Sequence, residues 1–329
     1  MTEAGAPGAP GDAWLAPVPQ DDRVREVRPL VRLYASKHTH RLLPSPVALA
    51  LAAALAPMGS PQRRADERRM SERFMKDLLL YTPRAGEARA LTRRYIAEKS
   101  RISELVWRPW LLKRSRVIGQ EHWDAAHTGG RGCVVVIGHM GATFAVPAIL
   151  GLQGFDIHMV TSPHYWQPMP PGFVGLAMLH LRRAYAEKPL GRSRLIPSDA
   201  DPERLVSLLE GGESILMAFD VPGSAATPFL GRSVALSGGP ATLAFRTKAT
   251  VLPLMPERHG SRIDLRLLKP LDPADYRDAR SLRAAIARTF ERLVLAKPEI
   301  VELPWVPSPL VTEAQATLRN EDAPRGASA

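Results

Sequence analysis

Short runs of β-branched and apolar residues alternate with helix-length segments from residue 133 onward, and this alternation limits the possible folds more than any other feature. Short apolar runs bounded by turns are typical of buried strands, and intervening helices are typical of crossovers in parallel sheets. We predict an α/β fold with a mixed, mainly parallel sheet flanked by helices. The predicted strands are Cys133–Ile137, Ile157–Thr161, Ser193–Ile196, Ile215–Phe219, Thr250–Leu254 and Ile263–Leu268. The predicted helices are Phe144–Leu152, Phe173–Tyr185, Pro202–Glu210, Gly239–Lys248 and Ser281–Leu295.

The region before the strands has a helical period. Between Pro61 and Lys113 apolar residues recur every three to four positions, and Pro83 and Gly86 divide this segment into two helices. An N-terminal helical region is therefore expected. We divide the chain into a disordered N-terminus (1–20), a helical, basic region facing a membrane or partner (21–130), an α/β core (131–306) and a flexible tail (307–329).

The chain is strongly basic, with a net charge of +11, and residues 1–130 hold 22 Lys and Arg against 14 Asp and Glu. This excess predicts an anionic partner, either an anionic membrane surface or an acidic carrier protein, although an arginine-rich solvated surface is an equal alternative. No nucleic acid is expected, because zinc-ligand spacing and RNA-binding aromatic motifs are absent. One cysteine and no apolar run of about 18–20 residues favour a cytoplasmic, peripheral protein.

His139 lies in a glycine turn directly after the first predicted strand. This is the carboxyl edge of the predicted sheet, where α/β proteins place their sites. An imidazole there can take a proton from a hydroxyl or an amine and release it later, although a lone histidine is more often structural. We expect the backbone amides of Met140 to Ala142 to stabilise an anion, and Gly141 and Thr143 to contact substrate.

A second predicted strand ends at Asp220 and a glycine turn. If the two strands are neighbours, Asp220 lies at the same edge as His139; otherwise it caps a turn. Ser237 is predicted to be the N-cap of the helix that contains Pro240. Three further positions, Gly223, Ser237 and Gly238, are candidates for substrate contact, although the glycines are explained equally well by close packing.

Two arginines, Arg192 and Arg194, flank the third predicted strand. A guanidinium group binds phosphate through paired hydrogen bonds, so these residues are candidates for contact with a phosphate of a donor or acceptor. A surface role is the alternative.

Four segments, in this order, resemble the bacterial lipid A biosynthesis (late) acyltransferases of the lysophospholipid acyltransferase superfamily. They are Gly119-Gln120-Glu121-His122-Trp123, the strand leading to His139-x-Gly141, the strand ending at Asp220, and Pro228–Gly231 shortly before Ser237–Pro240. The resemblance covers roughly residues 65–300. It implies an α/β fold that moves an acyl group from acyl carrier protein or acyl-CoA to a hydroxyl of a lipid or glycolipid. It also implies His139 as the base, no cofactor, no metal and no covalent enzyme intermediate.

The chain departs from the family pattern at Phe144, where the acid of the family's His-x4-Asp/Glu motif is expected. Three outcomes follow. In the first, Asp220 pairs with His139. In the second, His139 acts without a carboxylate, for example on an amine. In the third, the protein is a catalytically inactive relative that binds lipid or acyl carrier protein. A weaker possibility is another α/β enzyme that uses the Gly138–Gly141 turn to bind phosphate.

Overall fold

The computed structural model of the protein describes residues 37–57, 60–162, 172–187 and 195–301, together with Pro29. Its helices are α1 (Lys37–Leu42), α2 (Ser45–Ala54), α3 (Pro61–Leu79), α4 (Ala88–Val106), α5 (Gln120–Ala126), α6 (Val146–Leu152), α7 (Gly172–Leu181), α8 (Pro202–Glu210), α9 (Gly239–Thr247) and α10 (Ala279–Ala296). Short 3₁₀ turns lie at Ala85–Glu87, Pro109–Arg114, Thr143–Ala145, Pro273–Asp275 and Pro298–Ile300, and a π-turn at Arg182–Glu187.

The strands are β1 (Val117–Ile118), β2 (Val134–Ile137), β3 (Ile157–Thr161), β4 (Leu195–Pro197), β5 (Ser214–Ala218), β6 (Pro222–Phe229), β7 (Arg232–Leu236), β8 (Val251–His259) and β9 (Arg262–Leu267). Seven of them form a sheet in the order β1-β9-β8-β2-β5-β3-β4, and β6 and β7 form a separate hairpin. Within the sheet, β8 and β9 are antiparallel, and the other neighbours are parallel. The predicted mixed, mainly parallel sheet flanked by helices is confirmed.

Side chains from β2 point alternately to the two faces of the sheet, and each face is covered by helices. One hydrophobic cluster, beneath α9 and α10, contains Val134, Val136, Leu243, Ile286 and Phe290. The other cluster, beneath α6, contains Val135, Ile137, Val146, Ile149 and Leu150. This double coverage explains why β2 is an unbroken β-branched run, since a strand buried on both faces has no polar position.

Two parts of the architecture were not predicted from the sequence. The hairpin β6–β7 lies in a segment without a predicted strand. The two-residue strand β1 pairs with β9, so the sheet begins within residues 21–130. The division at residue 130 stays a prediction, and residues 1–20 and 307–329 lie outside the described part of the chain.

The N-terminal helices α2, α3 and α4 pack together beside the sheet, and α4 reaches the C-terminal 3₁₀ turn. The helix α2 is rich in Ala and Leu but extends over only ten residues. Among the described residues, no helix has both the length and the apolar character needed to cross a membrane.

Candidate active site

The candidate site lies where the neighbouring parallel strands β2 and β5 end. Ile137 of β2 is in register with Ala218 of β5, and the Phe219 amide donates to the Ile137 carbonyl at 3.0 Å. His139 and Asp220 each follow two residues after these paired positions. Because the two strands are parallel and each residue follows its paired position by two residues, both side chains lie at the same point of the carboxyl edge.

The structure joins His139 and Asp220 through two hydrogen bonds. The Nδ1 atom of His139 lies 2.7 Å from Asp220 Oδ1, and the His139 backbone amide donates to Asp220 Oδ2 at 2.6 Å. An ionised carboxylate only accepts hydrogen bonds, so in the neutral imidazole Nδ1 carries the proton and Nε2 presents a lone pair. Asp220 is fully buried, whereas the His139 side chain is 28% exposed. The free nitrogen therefore belongs to a partly exposed ring held by a buried anion.

Gly138 makes room for this contact. A Cβ atom on Gly138 would lie 2.9 Å from Phe219 Cε1 and 3.4 Å from Asp220 Oδ2. The Phe219 ring cannot move aside freely, because it stacks on Phe290 with 4.4 Å between the ring centroids. A glycine at this position lets the carboxylate approach the imidazole at hydrogen-bonding distance.

The turn after His139 is held by bonds within the protein. The Met140 amide donates to the Gly138 carbonyl at 2.7 Å and to Thr143 Oγ1 at 3.0 Å, while the Gly141 amide donates to the Ile300 carbonyl at 2.5 Å. The Met140 and Gly141 amides therefore have partners within the protein, and the role of the Met140 to Ala142 amides towards an anion stays a prediction. Thr143 is buried and its hydroxyl donates back into the turn, and Gly141 supplies the φ of +64° that the turn needs. Both residues support the turn, and their contact with substrate stays a prediction.

The other predicted contact residues differ in their placement. Gly223 packs against β7, since a Cβ there would lie 2.5 Å from the Leu236 carbonyl oxygen. The N-cap of α9 is Gly238 rather than Ser237, although Ser237 Oγ does accept the Gly239 amide at 3.3 Å. Ser237 and Gly238 both lie near Asp220, because the Ser237 amide donates to the carbonyl of Val221 at 3.0 Å. Arg192 and Arg194 lie outside the described residues.

The profile of the family described as bacterial lipid A biosynthesis acyltransferase matches residues 94–301, more than half of the chain. The chain belongs to this family. Membership supports transfer of an acyl group to a lipid.

A comparison with curated proteins finds no significant match. Among solved structures, the chain is similar to a 1-acyl-sn-glycerophosphate acyltransferase, PlsC, from Thermotoga maritima. The identity is 16%, 70% of this chain and 96% of that chain are covered, and the TM-score is 0.35.

Phe144, the residue at the family's acid position, is part of an aromatic contact. Its ring meets Tyr185 edge to face, with 4.9 Å between the centroids, and the Tyr185 hydroxyl donates to the carbonyls of Leu105 and Val106 at 2.9 and 2.8 Å. Position 144 therefore helps to pack the turn against α4 in this family member. The carboxylate that is hydrogen-bonded to His139 is instead that of Asp220, directly after β5.

Other reactive side chains are placed away from catalysis or metal binding. Burial raises the pKa of the Cys133 thiol to about 12, which leaves it protonated and inert as a nucleophile. Within the described ranges, no three His, Cys, Asp or Glu side chains are grouped to hold a metal ion.

Sequence reasoning missed Arg283, which approaches the sheet edge of His139 and Asp220 from α10. No local pattern marks it among the other arginines of that helix.

Proposed function

We propose that this protein transfers a fatty acyl group from an acyl thioester to a hydroxyl or amine of a lipid or glycolipid, with His139 as general base. The donor in this proposal is acyl carrier protein or acyl-CoA. The observation that carries the proposal is the contact of His139 with the buried Asp220 at the sheet edge. It supplies an oriented base in a chain that lacks the acid of the family motif.

In the proposed reaction His139 Nε2 takes the proton of the acceptor hydroxyl or amine as that group attacks the thioester carbonyl carbon. A bond from acceptor to carbonyl carbon forms, and the carbon–sulfur bond breaks. The imidazolium then returns the proton to the departing thiolate, so that a thiol and an acyl lipid result. Throughout the reaction the Asp220 carboxylate accepts a hydrogen bond from the N–H group at Nδ1. This bond fixes the tautomer of His139 and stabilises the transient imidazolium.

The alternative is a catalytically inactive member of the family that binds lipid or acyl carrier protein. The absence of the motif acid at Phe144 favours this alternative. The bond of Asp220 to His139 favours catalysis, because an oriented imidazole with a free Nε2 is not needed for binding alone.

The test is acyl transfer by the full chain with a long-chain acyl-CoA and an acyl carrier protein thioester, over a panel of lysolipids, glycolipids and amines. We expect product with wild type and a decrease of at least about 100-fold with His139→Ala, since general base catalysis contributes about 10²- to 10⁴-fold. His180→Ala is the matched control, because His180 bonds to the Val106 carbonyl away from the site. Equal product from wild type and His139→Ala contradicts the proposed role of His139, and lipid binding without product supports the inactive alternative.

We also propose that the protein works at the inner face of the cell membrane and contacts it through α2. Four exposed apolar side chains recur at intervals of four residues, Val47 and Leu51 within this helix and Leu43 and Leu55 just outside its two ends. We call this set the α2 apolar face. The groove beside it is lined by Arg63 and by Lys99, which pairs with Glu67 at 3.5 Å, so an arginine borders the apolar surface and suits contact with an anionic lipid surface.

Replacing Leu51 and Leu55 together by glutamine is expected to weaken binding to phosphatidylglycerol-containing vesicles by about 10- to 100-fold, because each leucine loses part of its transfer free energy. Vesicle co-sedimentation at low and high salt measures this effect, and wild-type binding should fall as salt screens the cations. Leu152→Gln is the control, since Leu152 is equally exposed but lies on α6. Equal losses for the control and the double variant would refute a specific role for the α2 apolar face.

A further inference from the structure

Arg283, on α10, lacks a carboxylate partner although it is partly buried. Its Nη2 atom donates to the Ala226 carbonyl at 3.3 Å, and its Nε atom is buried without an acceptor. Two other guanidinium groups that are shielded from solvent have carboxylate partners, whereas Arg232 resembles Arg283 in having a buried Nε atom without an acceptor. Arg108 bonds to Glu104 and Arg258 bonds to Glu98. Among the described residues, no carboxylate forms an ion pair with Arg283, so the cation keeps unused hydrogen-bonding capacity.

The guanidinium group lies near the sheet edge that holds the candidate base. Val221 directly follows Asp220, and its carbonyl accepts the Ser237 amide at 3.0 Å. Gly238 comes next in the chain, and a Cβ atom placed on it would lie 3.5 Å from Arg283 Nη1. Two short contacts therefore connect the neighbour of Asp220 to the guanidinium group.

The surroundings disfavour the positive charge when no ligand is bound. Burial lowers the pKa of the Arg283 guanidinium, and the nearby charge of Arg280 lowers it further, whereas Asp278 opposes this effect only as the smallest contribution. A Cβ atom placed on Gly238 would lie 3.6 Å from Ala225 Cβ and 3.8 Å from Thr242 Oγ1 as well as 3.5 Å from Arg283 Nη1, so the backbone and small side chains of β6 and α9 lie near the guanidinium group. An anion beside the guanidinium group would compensate its positive charge. Two oxygens of a phosphate group can accept paired hydrogen bonds from the coplanar N–H donors of the guanidinium group.

We propose that Arg283 binds a phosphate group carried by a substrate of the acyl transfer, at the edge of the crevice of His139 and Asp220. This inference rests on the proposed function. The phosphate has two possible sources. Acyl-CoA and acyl carrier protein present the thioester on a phosphate-bearing pantetheine arm, and many lipid acceptors carry a phosphate of their own. Either source would use the same guanidinium contact.

Binding of inorganic phosphate tests the contact without any need for turnover. We expect phosphate, exchanged for chloride at constant ionic strength, to bind wild type and Arg280→Gln within about twofold of each other. Arg283→Gln should bind about 10- to 100-fold more weakly, the effect of losing hydrogen bonds to a charged group, and Arg283→Lys should be intermediate. Calorimetry gives the affinities, and thermal melting verifies that each variant is folded. Arg280 is the matched control because it is an exposed arginine on the same helix.

Kinetics then identify the source of the phosphate. Arg283→Gln should raise KM about 10- to 100-fold for the phosphate-bearing substrate, with a smaller change in kcat. The effect should disappear with an acyl-pantetheine donor if the donor supplies the phosphate, or with a dephosphorylated acceptor if the acceptor does. Three results overturn the proposal: no phosphate binding by wild type, equal losses in Arg280→Gln and Arg283→Gln, or a KM increase that persists with both phosphate-free substrates. If no acyl transfer occurs, calorimetry still decides the role of Arg283 separately from the proposed function.

Discussion

Replacing Asp220 by asparagine is expected to lower kcat for acyl transfer by about 10²- to 10⁴-fold, with a smaller change in KM. The carboxylate accepts two hydrogen bonds from His139, one at each oxygen. An asparagine has only one acceptor oxygen, so its NH₂ group must face either the backbone amide or Nδ1. Facing Nδ1, it favours the tautomer with the proton on Nε2, which removes the base. Steady-state kinetics with separate kcat and KM values measure the effect.

Asp264→Asn provides the control for the loss of a buried carboxylate. Asp264 is also buried, and it accepts the Arg116 amide at 3.1 Å and the Arg262 guanidinium at 2.7 Å, on β9 away from His139. We expect this variant to lose stability but to keep kcat per folded molecule. A kcat decrease of similar size in both variants would show that Asp220 acts only through the fold.

A second variant tests whether a carboxylate at position 144 can replace the carboxylate of Asp220. Phe144→Asp restores the acid of the family motif, and we expect it not to rescue Asp220→Asn. Phe144 packs against Tyr185, whereas Asp220 holds both the ring and the backbone amide of His139. Recovery of kcat in the double variant would show that position 144 remains the functional acid position and that Asp220 is replaceable.

The contact between His139 and Asp220 was accessible to sequence reasoning because it depends on strand order and register alone. Two apolar strands, each ending two residues before its polar residue, meet at one edge when the strands are parallel neighbours. The hairpin β6–β7 was missed for the opposite reason. Its first strand contains Pro222, Gly223 and Pro228, residue types that disfavour the prediction of a strand.

The distant partners of charged side chains could not be predicted from the sequence. Arg283 meets Ala226 across 57 positions, and Glu98 meets Arg258 across 160. In an arginine-rich chain every such residue has many equally plausible partners on the surface. Burial selects among these partners, and burial follows from the packing of whole elements rather than from any local pattern.

Glu98→Ala is expected to destabilise the fold by about 3 kcal/mol, because removing one member of a buried ion pair leaves the other charge without compensation. Glu98 lies on α4 with its side chain 9% exposed, and both its oxygens lie 2.6 Å from the Arg258 guanidinium of β8. Arg101 adds a third bond at 3.1 Å. Thermal unfolding should show a Tm lower by about 6–10 °C.

Glu203→Ala is a geometrically matched control. Glu203 also forms a two-oxygen contact with an arginine, at 2.6 and 2.5 Å from Arg246, but its side chain is 61% exposed. Exposed pairs contribute about 0–1 kcal/mol, so this variant should keep nearly the wild-type Tm. Equal Tm shifts for the two variants would contradict the argument that burial, rather than the geometry of the pair, determines the energy.

The effect of Glu98→Ala should also depend on pH with a definite sign. Burial alone raises the pKa of the Glu98 carboxyl, but Arg258 and Arg101 outweigh it and hold the pKa below its ordinary value of 4.5. A lowered folded-state pKa adds stability that is complete above the ordinary value and is lost as pH falls through the folded-state value. The Tm difference between wild type and variant should therefore be constant near neutral pH and shrink in acid. A constant difference down to the lowest pH at which the protein folds would mean that Glu98 stabilises the fold by packing and not by charge.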